Sequence, residues 1–120
     1  MFNFKTTINN NYILLELSGR LMIYEDAQKI QTKVINELND TVNIVVISFK
    51  GLEYLNSSGL GALITILTKS RNLGGETIIT NIPESIHDLL LISKLNTVFS
   101  IEPDLDQVIS SLKNVKKLNK

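Results

Sequence analysis

In the stretch NIVVISFKGLEYLNSSGLGALITILTKSRNLGGETIIT, residues 43–80, the hydrophobic period changes twice. Asn43-Ile44-Val45-Val46-Ile47 is a β-branched run of the kind found in strands buried on both faces. Ser48 to Leu55 reads as a polar, mixed connection. From Ser58 to about Leu73, residues Leu60, Leu63, Ile64 and Leu67 recur at the i, i+3, i+4, i+7 spacing of one helix face, and Gly74-Gly75 supplies a stop. Glu76-Thr77-Ile78-Ile79-Thr80 then reads as another strand.

The flanking sequence extends this alternation. Phe2 to Ile8 and Tyr12 to Leu17 are short apolar-rich runs on either side of Asn9-Asn10-Asn11, a cluster suited to a tight turn, so they predict an antiparallel hairpin. Between Tyr24 and Leu38, residues Ala27, Ile30, Val34 and Leu38 mark a helix face, with Glu25 and Asp26 in the first turn where the helix dipole favours acids. Pro83 suits the first position of a short helix carrying Ile86, Leu89 and Leu90. Thr97 to Ile101 reads as a last short strand. Asp104 and Gln107 resemble a capping box that opens a final helix with Leu105, Val108, Ile109 and Leu112 on its apolar face. The expected fold is α/β: a mixed β-sheet with an N-terminal antiparallel hairpin and βα repeats, right-handed crossovers between the parallel strands, and helices packed on the sheet.

The 120 residues suit a single domain over 1–120, long enough to bury about two thirds of its unfolded surface. Cysteine is absent, which removes disulfides, thiol nucleophiles and thiolate metal sites. Twelve basic and twelve acidic side chains cancel, without the basic excess of a phosphate-backbone binder, so no nucleic-acid partner is expected. Lys113, Lys116, Lys117 and Lys120 read as a solvated helix end. No apolar run has the length of a signal peptide or a membrane span, so no membrane insertion and a cytoplasmic location are expected.

The junction Asn56-Ser57-Ser58-Gly59-Leu60-Gly61 lies where strand gives way to helix. The first N–H groups of a helix lack intrahelical partners and the dipole adds positive charge there, so an anion is favoured by roughly 0.3–1 kcal/mol. Two readings of the hydroxyls compete: ordinary helix capping and a site for a phosphate. Gly59 and Gly61 each cost roughly 1 kcal/mol relative to alanine in a helix, and close approach to another backbone, within the fold or on a partner, is the expected reason.

These residues resemble the sulfate transporter and anti-sigma factor antagonist (STAS) domain in its short bacterial antagonist form. The resemblance rests on Leu17-Ser18-Gly19-Arg20-Leu21, Ile44-Val45-Val46-Ile47, Asn56-Ser57-Ser58-Gly59-Leu60-Gly61 and Gly74-Gly75, in that order along nearly the whole chain. It implies a binding module that is not itself an enzyme and uses no cofactor. Its partner would be an anti-sigma factor that is also a serine kinase, and phosphorylation would fall at Ser57. The phosphorylated form would not bind, and a phosphatase would reset it. Asn56, Ser57, Ser58, Gly59 and Leu60, with Met22 and Tyr24, are the candidate partner-binding residues; Lys50, Tyr54 and Thr65 are further candidates. The chain departs from the family pattern at Asn56 and Met22, where aspartate is common, and at Ser48, where an acid is common.

An alternative within the same resemblance is a constitutive subunit of a transporter ATPase complex, with Ser57 unmodified. A hydrolase using Ser57 or Ser58 needs an activating base, and the sole histidine, His87, stands beside Asp88 on another predicted helix. One histidine and scattered acids offer no metal-ligand spacing, so no metal is expected.

Overall fold

The computed structural model describes residues 1–9 and 11–118, with side chains of the last helix described as far as Leu112. Asn10 in the predicted turn and the reading of Lys113, Lys116, Lys117 and Lys120 as a solvated end lie outside that description.

Among the described residues, five strands and four α-helices follow in the order β1 (Asn3–Asn9), β2 (Tyr12–Leu21), α1 (Tyr24–Glu37), β3 (Ile44–Leu55), α2 (Ser57–Asn72), β4 (Glu76–Thr80), α3 (Glu84–Ile92), β5 (Ser100–Glu102) and α4 (Leu105–Leu118). The strands lie side by side in chain order; β1 and β2 pair antiparallel, and every other neighbouring pair is parallel. This is the expected mixed sheet with its N-terminal hairpin. Its two faces bury different clusters. Alternate residues Ile13, Leu15 and Leu17 of β2 join Val45 and Ile47 of β3 under α1 and α2, which contribute Ala27, Ile30, Val34, Leu63, Ile66 and Leu67. The opposite face carries Tyr12 and Val46 against Val108 of α4, with Leu105, Ile109 and Leu112 packed alongside. Helices on both faces explain why β3 is fully buried from Val45 to Phe49.

Four expectations change. Ser48 to Leu55 is not a connection but the second half of a twelve-residue β3, paired with β2 as far as Leu21 opposite Leu55. Two irregularities each place an extra residue on β3: Glu16 faces Ser48 but Ser18 faces Gly51, and Gly19 faces Leu52 but Arg20 faces Tyr54. The buried residues are therefore Phe49, Leu52 and Leu55, spaced by three rather than two, and the alternation that marks a strand is lost. On α2 the buried face is Gly59, Ala62, Leu63, Ile66, Leu67 and Ser70, leaving Ile64 partly exposed and Leu60 at the margin. The last strand begins at Ser100, after a short 3-10 turn at Leu95–Thr97. Asp104 caps α4 by accepting from the Asp106 N–H at 3.1 Å, one residue short of the expected box with Gln107.

Gly74 and Gly75 close α2 as expected. Gly74 has φ 87°, its N–H donates to the Arg71 carbonyl at 3.0 Å, and the Gly75 N–H reaches back to the Ser70 carbonyl at 2.8 Å. This is a Schellman closure, in which a left-handed residue lets the chain satisfy the last helical carbonyls.

Candidate functional site

At the carboxyl end of β3 the chain turns directly into α2, and Asn56 makes the turn. Its backbone is extended (φ −104°, ψ −174°), its Oδ1 accepts from the Gly59 N–H at 3.1 Å, and its carbonyl accepts from the Leu60 N–H at 3.0 Å. Asn56 is therefore the N-cap. Ser57 and Ser58 are the first two residues of the helix, so the capping role expected of a hydroxyl is taken by the residue before them. Ser57 is exposed, and its hydroxyl has no protein partner among the described residues.

The other side of the site is the β2–α1 junction. The Asn56 N–H donates to the Leu21 carbonyl at 3.2 Å, and Asn56 Nδ2 donates to the Met22 carbonyl at 2.7 Å. These bonds bring Met22 beside the start of α2. Met22 (47% exposed), Ile23 (56%) and Tyr24 (62%) form an apolar run facing solvent, and Tyr54 and Ile64 are also exposed. Three consecutive large side chains facing solvent beside the start of α2 make the kind of patch that marks an interaction surface. Arg20 stacks over the Tyr54 ring at 4.9 Å from its centroid, a cation–π contact one step back along the same two strands.

The candidates do not all converge. Asn56, Ser57, Ser58, Met22 and Tyr24 share this end of the sheet. Leu60 is half-buried against the core, and Gly59 is wholly buried, so both shape the site from beneath. Thr65 is exposed two turns along α2 with its hydroxyl returned to the Gly61 carbonyl at 3.0 Å. Lys50 lies elsewhere: with Lys5, Glu16, Ser18 and Ser48 it lines a groove of about 770 Å³ on the α4 face of the sheet, and neither Asn56 nor Ser57 borders that groove. Ile23, Ile64 and Arg20 are not among the site residues to which the sequence points. Ile23 lies outside the α1 face, Ile64 was assigned to the wrong side of α2, and the Arg20–Tyr54 contact depends on strand register.

Within the fold, neither helix glycine is explained by close approach of another backbone. A Cβ on Gly59 would run into Leu55 Cδ1 and stand 2.8 Å from Leu21 Cδ2, so side chains rather than backbone exclude it. A Cβ on Gly61 would meet nothing within 4 Å.

His87 is exposed and borders a separate small cavity with Asn81, Ile82 and Glu102. No group of three or more potential metal-ligating side chains occurs among the described residues. No described helix is long and apolar enough to cross a membrane.

The STAS domain model matches residues 3–108, and the chain belongs to that family. Solved structures with the same fold include unphosphorylated SpoIIAA, an anti-sigma factor antagonist (TM-score 0.82, 18% identity, 93% of this chain and 97% of that one). The phosphorylated form of this Bacillus cell fate determinant also matches (TM-score 0.73, 18% identity, 92% of this chain and 99% of that one). An RsbS variant of Moorella thermoacetica is similar as well (TM-score 0.75, 16% identity, 95% of this chain and 97% of that one).

Proposed function

We propose that residues 1–120 act as a single STAS-like domain, an anti-sigma factor antagonist that binds an anti-sigma factor with serine-kinase activity and is switched off by phosphorylation of Ser57. The observation that carries this reading is the division of labour at α2. Asn56 fills the cap, which leaves the Ser57 hydroxyl free, exposed and flanked by the apolar run Met22, Ile23 and Tyr24. The chain is the substrate and the kinase brings the catalytic groups. Asn56 offers a neutral amide with no basic atom, so the kinase must supply the base that takes the Ser57 proton.

Phosphate at Ser57 adds about −1.5 to −2 charges to a surface that docking must desolvate, and burying such a charge unpaired costs several kcal/mol. In the free protein the same charge sits at a helix start that favours anions, so binding is lost while the fold persists. Incubation with candidate partner kinases and ATP, followed by intact-protein mass measurement, tests the reading. A gain of about 80 Da in wild type and none in Ser57→Ala is the expected result.

Asn56 also favours a second reading: its neutral amide, committed to structure, leaves no carboxylate beside Ser57. A constitutive subunit of a transporter ATPase complex would need none. Stable co-purification with an ATPase, with Ser57 unmodified in cells, would select that alternative.

A further inference from the structure

The two segments that flank Ser57 are joined by one side chain. Asn56 Nδ2 donates to the Met22 carbonyl at 2.7 Å while Oδ1 accepts from the Gly59 N–H at 3.1 Å. The partners fix the amide's orientation, because a flipped amide would set its NH2 against an N–H and its oxygen against a carbonyl, losing both bonds. Beneath it the Asn56 N–H holds the Leu21 carbonyl, and Leu21 packs so tightly on Gly59 that no Cβ fits there.

A carboxylate at this position would keep the cap and gain from the helix dipole. It would have no proton for the Met22 carbonyl, and would set negative charge against it. We propose that Asn56 is a positioning residue: its amide holds Met22, Ile23 and Tyr24 in register with Ser57, so that loop and helix start form one rigid docking surface, and a carboxylate there opens the joint. The importance of that surface rests on the partner-binding reading above; the joint itself does not.

Thermal melting of wild type, Asn56→Asp and Asn56→Ser between about pH 7.5 and pH 3.5 separates capping from latching. Glu25, Asp26 and Glu53, the acids nearest in sequence to the two joined segments, are common to all three proteins, so the difference from wild type is the quantity read. If Asn56 only caps, Asn56→Asp melts at or above wild type at pH 7.5 and loses ground in acid, because its folded-state pKa is depressed by the helix start. If Asn56 latches, Asn56→Asp melts about 4 °C below wild type at pH 7.5. The gap then narrows in acid, because the raised folded-state pKa favours a protonated carboxyl that can again donate to Met22. Asn56→Ser, which keeps a capping oxygen but cannot span the joint, stays below wild type throughout.

Amide exchange gives the local readout. The Asp26 and Ala27 N–H groups bond the Ile23 carbonyl at 3.0 and 3.2 Å. They should exchange about three- to tenfold faster in both variants. Unchanged exchange with an undiminished melting temperature overturns the latch. Partner affinity is read separately: equal binding by wild type and Met22→Ala would sink the docking-face reading while leaving the latch standing.

Discussion

At the start of α2, Asn56 satisfies the Gly59 N–H and Ser57 carries a hydroxyl with no protein partner among the described residues, so substitutions at Ser57 should leave folding nearly unchanged and, on the proposed function, be read in binding. Ser57→Ala should change unfolding free energy by less than about 0.5 kcal/mol in a denaturant titration. Ser57→Glu places an acid in the first turn and should leave stability equal or higher by about 0.3–1 kcal/mol while abolishing partner binding. The two glycines should respond oppositely. Gly61→Ala, with open space around its Cβ, should stabilise by about 1 kcal/mol through helix propensity. Gly59→Ala must displace Leu55 and Leu21, and the overpacking cost of roughly 1–3 kcal/mol outweighs that gain. The sequence shows that both glycines are costly in a helix. Which one is sterically required depends on side chains from β2 and β3 and is invisible locally.

Among the elements, α2 and β4 are tied by a buried pair: Ser70 Oγ lies 2.9 Å from Thr77 Oγ1 and also donates to the Leu67 carbonyl at 2.9 Å. Ser70→Ala strands the Thr77 hydroxyl and should cost about 1–3 kcal/mol, whereas Ser70→Ala combined with Thr77→Val should cost less than Ser70→Ala alone. Chemical denaturation of the three variants checks this. The helices were legible because their apolar residues keep one period, as Ala27, Ile30 and Val34 do, and the first half of β3 because Ile44 to Ile47 is an unbroken β-branched run. The second half of β3 was not. Its two extra residues shift the buried positions to Phe49, Leu52 and Leu55, a spacing that matches neither a flat strand nor a long helix. The α2 face was misjudged by one side, since Gly59 and Ser70 are buried without being apolar and Ile64 is apolar without being buried.

For the whole molecule, the sheet separates two tasks. Its faces hold the cores under α1 and α2 and under α4, while the carboxyl ends of β2 and β3 present Met22 and Ser57 to solvent. A charge added at Ser57 therefore touches neither core. A formal net charge of zero makes a doubly negative group a large change in surface potential. The order of elements and the strand-to-helix junction at Asn56 and Ser57 were readable in the sequence. The assembly of Met22, Ile23 and Tyr24 beside Ser57 was only partly so, because it rests on a hydrogen bond between residues 34 positions apart. Calorimetric titration of one anti-sigma factor with unmodified chain and with chain phosphorylated at Ser57 tests the switch most directly. The account predicts measurable binding for the unmodified form and an affinity at least about a hundredfold weaker for the phosphorylated form, matching burial of an unpaired charge at several kcal/mol. Equal affinity of the two forms would contradict it.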